Sequence, residues 1–140
     1  MVLDTNVVSE IMRQKPDAAV LAWLDQRAPS DLWLTSINAA ELMVGVALLP
    51  NGARRQRFAN AVAMTLSEDF ADQILPFDLA AASCYAAIVA ERKSAGQTIA
   101  MADAQIAAIC LVHEAMLVTR NERHFAGLGL TVINPWRAIN

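Results

Sequence analysis

Five short apolar runs punctuate the chain; two helical stretches separate each of the first three from the next, and a Gly-containing loop separates the last two. The runs are VLDTN at 2–6, LWLTS at 32–36, QILPF at 73–77, AMLVT at 115–119 and LTVIN at 130–134. Each is too short for a buried helix, and most are rich enough in Val, Ile, Leu and Thr to read as strands. Between them, helices are predicted over 7–13, capped by Asn6 and interrupted by Pro16, and over 17–27, ending before Pro29. Further helices are predicted over 38–49, over 53–70 after the PNG turn at 50–52, over 79–95 with Gly96 as the C′ residue, and over 99–114. Such alternation leads to an α/β fold, a mostly parallel sheet covered by helices on both faces. No internal repeat, low-complexity tract or linker divides it, so residues 1–140 are expected to form one domain.

Ligands of such sheets bind at the carboxyl ends of the strands. Two of the runs stop there in hydrogen-bonding side chains: Asp4, Thr5 and Asn6 after Val2–Leu3, and Thr119, Arg120 and Asn121 after Leu117–Val118. Two further carboxylates stand where apolar residues would be expected. Within 99–112 only Asp103 and Gln105 are polar, and Asp103 shares its helix stripe with Ile106, Ala107 and Cys110. Glu41 is the one polar residue after Asn38 in NAAELMVGVALL, residues 38–49, and lies on a stripe with Val44, Gly45 and Leu48.

An ionised carboxylate left uncompensated in low dielectric costs several kcal/mol. No Lys or Arg lies inside these segments, and Arg120 is the nearest candidate in sequence. A hard divalent cation on oxygen ligands resolves the problem, and the lack of His or Cys at zinc spacing favours Mg²⁺ or Mn²⁺ over Zn²⁺. Each acid also has a plainer reading as a cap: Asp4 jointly with Asn6, Glu41 as the N3 partner of Asn38, and Asp103 at a late helix start. A shared site accounts for all three at once.

Composition narrows the setting. The hydrophobic fraction is 56% and the mean hydropathy +0.34, high for a chain with no apolar run long enough to span a bilayer. No signal pattern opens the sequence, so the expected setting is the cytoplasm, with surplus apolar surface buried against a partner or a second copy. Cys84 and Cys110 fit reduced core thiols. A net charge of −3 announces no global affinity for nucleic acid, so any basic surface must be local. Arg54, Arg55 and Arg57 read first as a solvated helix face and second as a phosphate contact. His124 reads as a lone loop histidine.

The ordered set LDTNVVSE, AAEL, ILPFD, ADAQIAAI, LVTRNERHF and INPW resembles the PIN-domain ribonucleases, specifically the VapC and FitB-like toxins of toxin–antitoxin pairs. The resemblance implies a three-layer α/β/α sandwich, Mg²⁺- or Mn²⁺-dependent cleavage of RNA (tRNA in many relatives), a homodimer, and a cognate VapB/FitA-like antitoxin. Asp4, Glu41 and Asp103 fall on the family's acidic positions and are assigned as metal ligands. Thr119 and Asn121 are assigned to position water or phosphate, and Thr5, Asn6 and Arg120 to support substrate or motif. The chain departs from the pattern at Asn121, where relatives often carry a fourth acid, and at His124, where Asp is common; Glu122 is acidic but one position displaced. Hydrolysis by such a site should leave a 5′-phosphate and a 3′-hydroxyl. The alternative is a degenerate PIN domain that binds RNA or antitoxin without cutting. A phosphotransfer enzyme with Asp4 as nucleophile ranks lower, because Asn6 stands where a second Asp is wanted.

Overall fold

A computed structural model describes residues 1–137; residues 138–140 of the expected 1–140 domain lie outside the described residues. Five parallel strands alternate with six α-helices. In chain order they are β1 (Val2–Leu3), α1 (Thr5–Ile11), α2 (Ala18–Asp25), β2 (Leu34–Thr35), α3 (Ser36–Ala47), α4 (Ala53–Met64), β3 (Ile74–Leu75), α5 (Leu79–Ser94), α6 (Met101–Val112), β4 (Leu117–Val118) and β5 (Val132–Ile133). Strand β1 pairs with β4, β4 with β5, and β2 with β3, all parallel. A parallel bridge between Val2 and Trp33 joins the two groups, giving the order β3-β2-β1-β4-β5.

The strand period of two divides the core. Leu3, Leu34 and Val118 face one cluster with Val7, Val8, Val20, Trp23, Leu42 and Val62, drawn from α1 to α4. Val2 and Leu117 face the other, with Ile88 of α5 and Ala104, Ile106, Ala107 and Cys110 of α6. Helices on both sides of one sheet make the α/β/α sandwich.

Local chemistry explains where the elements stop. The strands are shorter than their apolar runs because flanking residues enter helix starts: Ser36, at the end of LWLTS, opens α3. Asp4, rather than Asn6, caps α1, and Thr35 caps α3 in a capping box with Asn38. The predicted helix 53–70 ends at Met64 and passes into a π-turn, Thr65–Asp69, closed by Phe70 N–H on the Thr65 carbonyl at 3.0 Å. Gly96, with φ +69°, follows α5 in the left-handed conformation. There its N–H donates to the Lys93 carbonyl and that of Gln97 to the Arg92 carbonyl, the paired closure of a Schellman motif. Among the described residues no helix is long and apolar enough to cross a membrane.

Candidate active site at the carboxyl edge of the sheet

Strands β1 and β4 are neighbours and run in parallel, so the residues that follow them, Asp4 and Thr119, emerge side by side. Both are buried, Asp4 at 5% exposure. The Thr119 hydroxyl donates to Asp4 Oδ2 at 2.7 Å and accepts from Asn6 Nδ2 and the Asn121 N–H, both at 3.1 Å. Its one proton is therefore committed to Asp4, which makes Thr119 a positioning residue. Asn6 Nδ2 also reaches Asp4 Oδ2 at 3.3 Å, and Thr5 N–H donates to Oδ1 at 2.8 Å. Asp4 is thus a helix cap and a site residue together.

A second chain of hydrogen bonds fixes Glu41. Thr35 donates from its N–H and its hydroxyl to Asn38 Oδ1, at 3.0 and 2.7 Å. Asn38 Nδ2 donates to Thr5 Oγ1 at 3.0 Å, and Thr5 donates onward to Glu41 Oε1 at 2.6 Å. Asn38, fully buried, also lies 3.5 Å from Asp4 Oδ1. The cap of α3 is thereby built into the site. Glu41 takes no part in that cap, so its plainer reading fails, and Asp103, at the third position of α6 behind Ala100, is not an N-cap.

Asp103 stands with Oδ2 3.1 Å from His124 Nδ1. This corrects the reading of His124 as a lone loop residue: the turn Glu122–Phe125 carries it back over the start of α6. Arg120 does not neutralise the acids. Its guanidinium stacks over Trp136, 5.0 Å from the ring centroid, and only its backbone N–H meets the network, at Asn6 Oδ1. Glu122, the displaced acid, bonds to Asn134 Nδ2 at 3.1 Å and pairs with Arg137.

Asp4, Glu41, Asp103, Thr5, Asn6 and Asn121 line one cavity of about 500 Å³, with Ser9, Glu10 and Arg13 completing its wall. Thr119 lies beneath it, and the Arg120 side chain is outside. Burial pushes the Asp4 carboxyl above its ordinary value, outweighing the hydrogen bonds from Thr119 and Thr5, and the Asp103 charge pushes it further. Burial likewise raises Glu41 against the Thr5 hydrogen bond, with Asp4 and Asp103 adding to the rise. Two acids held up in this way, with only neutral donors on them, form a site that favours an added positive charge. Carboxylate oxygens with neutral donors behind them suit a hard cation such as Mg²⁺, which takes one or two carboxylates and keeps several waters.

Sequence reasoning missed Asn38, Glu10 and Arg13. The Thr35–Asn38 spacing was the available signal for the first. The buried Glu10, tied to Arg13 at 3.1 Å and to the Asp17 N–H at 2.9 Å, had none.

A five-stranded parallel α/β/α sandwich with acids at the carboxyl edge of β1 and at the starts of two covering helices defines the class: the chain belongs to the PIN domain family, which matches residues 1–129. Within that family it is similar to the VapC ribonuclease Y4jK of Sinorhizobium fredii, 43% identical over 136 residues and covering 97% of each chain. It is also similar to toxin FitB of Neisseria gonorrhoeae, 40% identical over 97% of this chain and 98% of that one. Among solved structures, FitAB bound to an IR36 DNA fragment superposes with a TM-score of 0.90 at 39% identity, covering 99% of this chain and 97% of that one. VapBC2 of Rickettsia felis, at 22% identity and a TM-score of 0.77, shares the fold.

Proposed function

We propose that the protein is a divalent-metal-dependent endoribonuclease toxin, acting as one PIN domain over residues 1–140, that hydrolyses phosphodiesters of structured RNA, tRNA foremost. The observation that carries this reading is the convergence of Asp4, Glu41 and Asp103 on one open cavity, where among the described residues no basic side chain pairs with Asp4 or Glu41. Mg²⁺ or Mn²⁺ held by these three acids, directly or through water, would supply charge to acidify water, polarise the phosphate and stabilise the leaving oxygen.

The chain's own residues do the rest. Thr119, Thr5 and Asn6 orient the Asp4 oxygens before anything binds, and the Thr35–Asn38–Thr5 relay does the same for Glu41. Asn121, in the cavity wall, offers an amide to orient water or a phosphate oxygen. His124 borders Asp103, with Nδ1 3.1 Å from Oδ2, and fixes the orientation of that carboxylate. The products are a 5′-phosphate and a 3′-hydroxyl.

The FitB and VapC relatives support a cognate VapB/FitA-like antitoxin as partner, and a cytoplasmic setting and a homodimer complete the reading. The test is incubation of the purified protein with total tRNA. Mg²⁺ or Mn²⁺ should permit cleavage, EDTA should abolish it, and Asp103→Asn should lose about 10²-fold or more of the rate. Undiminished cleavage by Asp103→Asn, or in EDTA, would sink the metal-nuclease reading. The neutral Asn121 favours a second reading, a PIN domain that binds RNA or antitoxin without cutting. Protein that binds tRNA tightly but leaves it intact with either metal would establish it.

A further inference from the structure

We infer that the groove between α1, α3 and α4 carries the phosphate backbone of the RNA strand into the carboxylate cavity, through Arg54, Arg57 and Lys15. The inference rests on the nuclease reading above. The groove has a volume of about 790 Å³ and shares Ser9 and Arg13 with the carboxylate cavity, so the two spaces adjoin. No Asp or Glu lines it. Arg54 and Arg57 are three residues apart and meet on one face of α4, while Lys15 approaches from the turn after α1. Among the described residues these three cations make no ion pair. Arg55, between the two arginines, turns away to bond Asn51 and takes no part in the groove.

Unpaired like charges packed into one groove repel one another and are relieved by an anion. The guanidinium fork suits phosphate oxygens. The molecule as a whole is negative, so a polyanion needs such a local positive lane beside an acidic centre. A groove that adjoins the cavity suits a polymer passing along both rather than a ligand confined to one.

The full-length protein in EDTA, titrated against a fluorescein-labelled oligouridylate over a series of KCl concentrations, tests this. Each phosphate contact to a single strand adds about 0.7 to the slope of log affinity against log salt. Arg54→Gln/Arg57→Gln should therefore flatten the slope by about 1.4 and weaken binding about 25-fold near 0.1 M KCl. Arg55→Gln, one residue away on the same helix, should match wild type. Lys15→Gln, outside the helices, should flatten the slope by about 0.7 and covers the case in which the double variant folds poorly. A double variant that folds and tracks Arg55→Gln overturns the groove alone, provided the wild type binds and cuts RNA. Wild-type protein with no oligouridylate affinity fails together with the nuclease reading. A double variant that loses binding to polyglutamate but not to oligouridylate overturns the proposal in favour of an acidic protein segment.

Discussion

At the scale of single residues, the site separates two acids that composition would treat alike. Asp4 receives donors on both oxygens, from Thr5, Asn6 and Thr119. Asp4→Asn turns one oxygen into an N–H₂ that faces the Asn6 amide and the Thr119 hydroxyl, donor against donor. It should destabilise the metal-free protein by about 1–3 kcal/mol. Glu41 accepts one hydrogen bond, at Oε1, which Gln keeps. Glu41→Gln should instead stabilise it by about 1 kcal/mol at neutral pH, since the half-buried charge and its repulsion by Asp4 and Asp103 are gone. The sign follows from linkage. Glu41 holds its proton more tightly folded than unfolded, so its contribution is fully present below the ordinary 4.5 and lost as pH rises through the higher native value. The stability gap between Glu41→Gln and wild type, measured by urea unfolding in EDTA, should be absent in acid and open toward neutral pH. A gap that does not change with pH would remove Glu41 from the charged cluster.

At the scale of elements, the cap of α3 is the sharpest case of structure and site sharing one part. Thr35→Ala removes the side-chain bond to the Asn38 N–H and the hydroxyl that holds Asn38 Oδ1. It should cost about 1–2 kcal/mol in urea unfolding and lower RNA cleavage, with Thr35→Ser recovering both. Full cleavage by Thr35→Ala would show that Glu41 does not depend on the relay. Helices were legible in the sequence where a capping chemistry marked them, as at Gly96 or the interruption at Pro16. Strand lengths were overread because an apolar run does not reveal where its backbone leaves the ladder, as Ser36 illustrates. Asp4, Glu41 and Asp103 were legible because a carboxylate among apolar residues is a local anomaly. Asn38 and His124 were not, because their roles depend on residues 33 and 21 positions away that only the folded chain brings within hydrogen-bond reach.

At the scale of the whole molecule, the high hydropathy has a visible outlet. Met43 and Val44 of α3 and Leu48 at its C-cap form an exposed apolar row, with Leu48 79% exposed, and Leu79 at the start of α5 is 87% exposed. Covering such a row in a second copy would remove its apolar surface from water at about 25 cal/mol per Å². Sedimentation at micromolar concentration should give a dimer or larger species, and Val44→Glu/Leu48→Glu should shift it to monomer without lowering the melting temperature. A wild-type monomer would leave that row to an antitoxin.

The double employment of Asp4 has a genetic consequence. If the protein poisons its host when made without an antitoxin, selection for survivors samples every route to inactivity. A change at Asp4 unties the first helix as well as the site, so many such chains should be degraded and leave no product. Changes at Glu41 or Asp103, which cap nothing, should leave a folded and harmless protein that persists. Survivors that still accumulate the full-length chain should therefore be enriched in lesions at those two codons and depleted at the fourth.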